Sequence, residues 1–208
     1  MKRNIITLLI TVFAMLQATA QTYDNLWKQA DIIAQKDQPK SEIGVMKKII
    51  SKATAAKDYG QLLAAEIRQA ILWREISPDS LTPNVKRMET EALKAKDPVL
   101  KAVRYAVLGK VYREVNGKKS EEFFKKALEQ PELLARNASA GYVPLTLKGV
   151  DGSSFNNDLL HLIGFEADSK EAYHLMYTYY NKVGNRGAAC LCAYKLIEKY
   201  RQDDVREV

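Results

Sequence analysis

Two stretches about seventy residues apart repeat one pattern, and this repetition constrains the fold more than any other feature. "YAVLGKVY" occupies residues 105–112 and "AYHLMYTYY" occupies residues 172–180. Each spaces apolar residues as one face of a helix does, and each is followed by a glycine-containing turn and a second helical stretch. The pattern predicts an all-α chain of at least seven helices with antiparallel neighbours in sequence order. It also predicts no sheet larger than a short ribbon near residues 143–150.

The residue types in both stretches resemble those of tetratricopeptide repeats, whose helix pairs carry W-x2-L-G-x2-Y followed by Ala, Phe, Ala and Pro. The matching residues of the earlier pair are Tyr105, Leu108, Gly109, Tyr112, Phe124, Ala127 and Pro131. Those of the last pair are Ala172, Leu175, Met176, Tyr179 and Ala188. The resemblance implies a helical-repeat (TPR-like) arch, in which small residues let paired helices approach closely. A helical bundle without a repeat is the alternative.

The first twenty residues have the pattern of a secretory signal peptide. Lys2 and Arg3 precede the uncharged run "IITLLITVFAML", and Ala18 and Ala20 supply the small residues that a signal peptidase reads. The run is short for a membrane span, although a retained N-terminal anchor is the alternative. We therefore expect an exported protein, periplasmic or extracellular, that begins at Gln21 and has no stable membrane span after processing.

Charge and length favour one exported domain of moderate size. Removing residues 1–20 leaves 30 basic and 25 acidic residues, a net charge of +5. The basic residues are interspersed with acidic ones along the helices, which is typical of solvated faces and does not indicate a nucleic-acid partner. We predict a helical-repeat region over 21–136, an irregular excursion over 137–157 with an extended candidate at Val143–Leu147, and a helix pair over 158–208 that continues the repeat.

The two cysteines, Cys190 and Cys192, lie in "AACLCAY" on the last predicted helix. Residues two apart on a helix point about 200° away from each other, so these thiols are expected not to form a disulfide. Two thiolates with distant histidines do not make a zinc site, so we expect free cysteines and no metal.

A second resemblance comes from residues 23–65, "YDNLWKQADIIAQKDQPKSEIGVMKKIISKATAAKDYGQLLAA". This segment is similar to the opening of the large exported alpha-2-macroglobulin-like proteins of Bacteroidetes, through Leu26–Trp27–Lys28, Pro39–Lys40–Ser41, Ala53 and Gln61. The resemblance implies the helical front part of a longer protease inhibitor. Neither cysteine begins the Cys-Gly-Glu-Gln thioester motif of that family.

Catalytic motifs are missing from the sequence, which contains no G-x-S-x-G, HExxH or P-loop pattern. Asp168, Glu171 and His174 lie close together, but isolated polar residues on a helix are usually structural. We expect a non-enzymatic chain without a cofactor.

A binding surface is predicted from repeat geometry. Tyr173, Tyr177 and Tyr180 fall at i, i+4 and i+7 on the face that would line a concave groove, with Lys110 and Arg113 at comparable positions in the earlier pair. The alternative is that these rings pack beneath a neighbouring helix. The expected partners are downstream domains of the same longer chain or another protein. The alternative function is a free-standing exported protein that binds a peptide or glycan in the groove.

Overall fold

A computed structural model describes residues 23–77, 81–113, 116–142 and 151–206, and this part of the chain is all-α, as predicted. It contains ten α-helices. They are α1 (23–34), α2 (Pro39–Ala56), α3 (Tyr59–Ile76), α4 (Leu81–Lys94), α5 (Pro98–Tyr112), α6 (Gly117–Ala127), α7 (Pro131–Ala135), α8 (Leu159–Ala167), α9 (Lys170–Lys182) and α10 (Arg186–Arg206). Neighbouring helices pack largely as antiparallel pairs.

Short polar side chains begin many of these helices. Asp97 Oδ1 accepts hydrogen bonds from the backbone N–H groups of Val99 and Leu100 at the start of α5. Proline occupies the first helical position of α2, α5 and α7, where its missing N–H costs nothing.

The described residues up to 81 form one compact unit, and α1, α2 and α3 supply its core. Ala30, Met46, Ile49 and Ala53 are fully buried there. Polar contacts join the three helices at the edge of this core. The Arg68 guanidinium of α3 donates to Glu42 of α2 and Asp31 of α1, and the Trp27 indole donates to Gln61 Oε1 over 2.6 Å.

The described residues from 82 onward form a second compact unit, which contains α5 paired with α6 and α9 paired with α10. The α5–α6 crossing is close because Gly109 has no side chain. A Cβ atom on Gly109 would lie 2.6 Å from Phe124 Cδ2. Beside it, the Ser120 hydroxyl donates to the Gly109 carbonyl over 2.7 Å. The small residues Gly109 and Ser120 thus allow α5 and α6 to approach closely, as the sequence predicts for small residues at a helix crossing.

The chain between α7 and α8 is irregular wherever it is described. Two 3₁₀ turns, Ser139–Tyr142 and Gly152–Phe155, lie on either side of residues 143–150. Ala138 and Asp158 form an isolated antiparallel β-bridge. No strand longer than this bridge occurs in the described ranges. The extended candidate Val143–Leu147 and the predicted signal peptide, residues 1–20, lie outside them.

Candidate functional site

The face predicted as a concave groove is covered by α8. The Glu166 carboxylate of α8 accepts hydrogen bonds from Lys110 Nζ and from Arg113 Nη1, each over 3.2 Å. The backbone carbonyl of Glu166 accepts a further hydrogen bond from the Arg113 guanidinium. The Arg113 guanidinium also lies 5.4 Å from the centre of the Phe124 ring. Lys110 and Arg113 remain on the surface, but their charges attach α5 to α8 within the chain.

Two of the three predicted groove tyrosines are core residues. Tyr173 and Tyr180 are 2% and 1% exposed, so the expectation that they are exposed is wrong. These two rings are buried because α8 and the chain segment that precedes it pack over them. Tyr173 packs edge-on against Phe165, and Tyr180 packs edge-on against Phe155. Tyr177 alone of the three is on the surface, with 37% exposure.

Asp158 is the buried acidic group of this region, and it is held from two sides. Its carboxylate caps α8 by accepting from the His161 N–H over 2.8 Å, and it accepts the Tyr180 hydroxyl over 2.9 Å. Burial raises the pKa of Asp158 from 3.8 to about 6, although these hydrogen bonds act in the opposite direction. The His161 ring stacks on Phe155 at 4.1 Å. This cluster closes the core between α8 and α9.

The two thiols have different surroundings, and both are free, as predicted. Cys192 is fully buried, and desolvation with the nearby Asp158 raises the pKa of its thiol to about 12. It therefore stays protonated near neutral pH, where a thiol is a poor nucleophile. Cys190 lies on the opposite, exposed side of α10.

Of the three polar residues Asp168, Glu171 and His174, Asp168 is hydrogen-bonded to side chains outside this group. Asp168 accepts the Tyr173 hydroxyl over 2.7 Å and the Lys199 ammonium over 2.6 Å. Burial alone would raise the pKa of Asp168, but these two donors lower it below the usual value. Asp168 therefore joins α9 to α10.

Three large, exposed apolar side chains lie on the outer side of α10. This helix packs on α9 through Ala188, Ala189 and Cys192. Tyr194, Ile197 and Tyr200 are 58%, 53% and 54% exposed. This surface was not predicted from the sequence, although Cys190, Tyr194 and Ile197 have the same i, i+4, i+7 spacing as the three tyrosines of α9.

A cleft of about 260 Å³ lies between α5, α6 and the start of α7. Ala102, Ala127 and Leu133 are among its apolar residues, and Tyr105 is half-buried in its wall. Lys101, Lys126, Glu129 and Gln130 contribute the polar groups, together with Pro98 at the end of the cleft. The cleft is small and open to solvent, and both polar and apolar side chains line it.

Among the described residues, no group of three or more His, Cys, Asp or Glu side chains could hold a metal ion. Within the same ranges, no helix is both long and apolar enough to cross a membrane.

No protein-family model matches the chain, and no curated protein or solved structure shows detectable similarity to it.

Proposed function

We propose that this chain is a non-enzymatic interaction and scaffold domain made of TPR-like helix pairs. The observation that carries the proposal is the α5–α6 crossing. Gly109 and Phe124 come from the two halves of the repeat pattern and contact each other, and the Ser120 hydroxyl donates to the Gly109 carbonyl beside them. Helix pairs of this kind stack into arrays whose exposed faces bind other proteins. The buried, protonated Cys192 thiol also favours a structural role over nucleophilic catalysis.

We further propose that the domain is exported and belongs to the front part of an alpha-2-macroglobulin-like protease inhibitor. The segment that carries this resemblance, residues 23–65, falls within the first compact unit. Its characteristic residues also have structural roles there: Trp27 bonds to Gln61, and Pro39 begins α2. A segment that folds as one unit is a suitable module at the front of a long chain.

The coding sequence beyond codon 208 tests this family proposal. Macroglobulin β-sandwich domains in the same reading frame would support it, and the encoded protein should then trap a protease in a cleavage-dependent manner. A stop codon directly after Val208 would contradict it.

A free-standing binder of peptides or glycans is the second candidate, and the cleft beside Tyr105 favours it. The predicted concave face is covered by α8, so the cleft offers the more accessible site. Binding should be measured on peptide and glycan arrays and then by calorimetry. Tyr105→Ala should weaken binding if the cleft is the site, whereas Tyr177→Ala should weaken it if the uncovered part of the concave face is used.

A further inference from the structure

The exposed side of α2 is lined by lysines and carries no carboxylate. Glu42 is the acidic residue of this helix, and it is 3% exposed and paired with Arg68 of α3. The opposite side of α2 carries cations and small side chains over a length of about 22 Å. We call this surface the α2 lysine face. Its residues, all exposed, are Lys40, Gly44, Lys47, Lys48, Ser51 and Ala55.

The fold thus separates charges that are mixed in the sequence. In α4 and α10, by contrast, Lys94 pairs with Glu91 and Lys195 pairs with Glu198, each three residues away. The positions three and four residues from Lys47 and Lys48 in α2 hold only Ile, Gly, Val, Ser or Lys. The helix therefore offers these two lysines no carboxylate at the spacing where side chains on one helix meet.

The lysines of this face do not stabilise α2 itself. Lys40 lies in the first turn, where the helix dipole disfavours a cation. Lys48 and Lys52 are four residues apart, and like charges at this spacing repel each other. Lys52 partly offsets this repulsion, because its ammonium lies 5.4 Å from the centre of the Tyr23 ring. A face of this kind gains most when an anionic group outside the helix contacts it.

The shape of the face indicates what carries that anionic group. At about 100° per residue, Lys40 and Lys47 fall along one edge of the face and Lys48 falls along the other. The strip between the two edges consists of small residues, namely Gly44, Ser51 and Ala55. The space around the Cβ position of Gly44 is open to 4 Å. A second helix can approach closely along such a strip, and its carboxylates would then meet ammonium groups on both sides.

A helix fits this surface better than a lipid surface or a nucleic acid does. Helices that lie on membranes insert apolar side chains, but Val45, Met46 and Ile49 of α2 are buried in the core. Single-stranded nucleic acids are held by aromatic side chains on which the bases stack, and the α2 lysine face has none. Carboxylates on a helix match both its charge and its shape.

We propose that the α2 lysine face binds an acidic helical segment of a partner protein, in which two rows of Glu or Asp flank a strip of small residues. The proposal rests on the proposed interaction role, because it names a surface and a partner class for that role. It does not depend on the macroglobulin resemblance or on the cleft beside Tyr105. Because exposed ion pairs hold the partner, the affinity should fall as salt is added.

The test uses designed peptides and the purified chain from Gln21 onward. The probe is an alanine-based helical peptide of about 22 residues, the length that α2 presents, with two rows of Glu separated by a strip of Ala. The control peptide has the same composition, with its Glu residues spread evenly around the helix. Isothermal titration calorimetry at low salt should show that the two-row peptide binds about tenfold more tightly than the control.

Two triple variants separate the α2 lysine face from the net charge of the chain. The first variant combines Lys40→Gln, Lys47→Gln and Lys48→Gln, and it should weaken binding of the two-row peptide about tenfold. The matched control changes exposed lysines of α4 and α6 by the same total charge, through Lys86→Gln, Lys118→Gln and Lys125→Gln. It should leave the dissociation constant unchanged, and circular dichroism should show both variants folded.

Gly44→Leu tests whether the partner is a helix. This substitution keeps every charge and places a branched side chain in the open strip between the lysines. It should weaken binding of the two-row peptide severalfold, because the second helix can no longer approach closely. Binding through charge alone would be unaffected.

Equal binding of the two peptides, equal weakening by the two triple variants, or a Gly44→Leu chain that binds like the wild type would each overturn the proposal. Binding of the wild-type chain to phosphatidylglycerol vesicles or to heparin through the same lysines, without binding of the two-row peptide, would also overturn it. These outcomes leave the reading frame beyond codon 208 untouched, so the α2 lysine face and the family proposal can fail separately.

Discussion

The Arg68 guanidinium lies 2.5 Å from the Glu42 carboxylate, and only 3% of the Glu42 side chain is exposed. A carboxylate with so little access to water is costly unless it is paired. Arg68 also contacts Asp31 and lies 5.9 Å from the Trp27 ring, so one side chain joins all three helices of the first unit.

Arg68→Ala should therefore lower the free energy of unfolding by about 3 kcal/mol, because it leaves the Glu42 charge buried and unpaired. Replacing both partners by apolar residues, Arg68→Met with Glu42→Leu, should recover most of this loss. Glu91→Gln, which removes the exposed pair with Lys94, should change stability by less than about 0.5 kcal/mol. Urea denaturation of the three variants checks the prediction, and an Arg68→Ala chain as stable as the wild type would contradict it.

Gly109→Ala should destabilise the second unit, although alanine is the better helix former. The new methyl group would lie 2.6 Å from the Phe124 ring, and overpacking of this kind costs about 1–3 kcal/mol. Gly44→Ala is the matched control, because no atom lies within 4 Å of its Cβ position. That variant should gain about 0.5–1 kcal/mol from helix propensity alone. Thermal melts that show the two substitutions with the same sign would refute the close crossing.

Stability should depend on the ionisation of Asp158. The pKa of Asp158 is about 6 in the folded chain, above the usual 3.8. Between these two pH values, Asp158 is therefore protonated in the folded chain and ionised in the unfolded chain. The contribution of this group to stability is therefore greatest at low pH and falls as the pH rises through about 4 to 6. Asn can keep both the helix cap and the bond from the Tyr180 hydroxyl.

The free energy of unfolding of Asp158→Asn should therefore rise relative to that of the wild type as the pH rises. Between about pH 4 and pH 7 the relative change should be on the order of 2 kcal/mol. Asp168→Asn should show the opposite trend, because Lys199 and Tyr173 lower the pKa of that carboxyl. Chemical denaturation at several pH values gives both differences. If the free energies of unfolding of Asp158→Asn and the wild type differed by the same amount at every pH, the pKa of Asp158 would not be raised and the prediction would be wrong.

Truncating Tyr180 and truncating Tyr177 should have very different effects. Tyr180→Ala removes a fully buried ring and its bond to Asp158, which should cost about 3–5 kcal/mol. Tyr177→Ala removes a ring that is 37% exposed and should cost at most about 1 kcal/mol. Equal melting temperatures for the two variants would contradict the burial of Tyr180.

The helices could be predicted from the sequence because helical periodicity and caps are local. The spacing of Ile43, Met46 and Ile50, or Asp97 before Pro98, needs no knowledge of distant residues. Glu42 could not be interpreted in this way, since its partner Arg68 lies 26 residues further along the chain. Apolar spacing alone does not reveal a buried charge whose partner lies on another helix.

The groove was misplaced because its surface depends on what covers it. Tyr173, Tyr177 and Tyr180 share one face in the sequence, and repeat geometry makes that face concave and open. The chain instead covers most of it with α8. The signal for this was present in "LLHLIGF", where Leu159, Leu160, Ile163 and Gly164 are all buried. A short helix that is apolar on nearly every side is typical of a core element.

The position of α8 also constrains the order in which the second unit can fold. Lys110 and Glu166 meet across 56 residues of sequence, so the α5–α6 pair exposes an apolar face until the chain beyond residue 167 has emerged. Contacts between such distant residues form slowly, because a long loop must close first. A chain synthesised or threaded across a membrane from its N-terminus would therefore complete its first three-helix unit well before the second. During that interval, the α5–α6 pair is the region most in need of protection from aggregation.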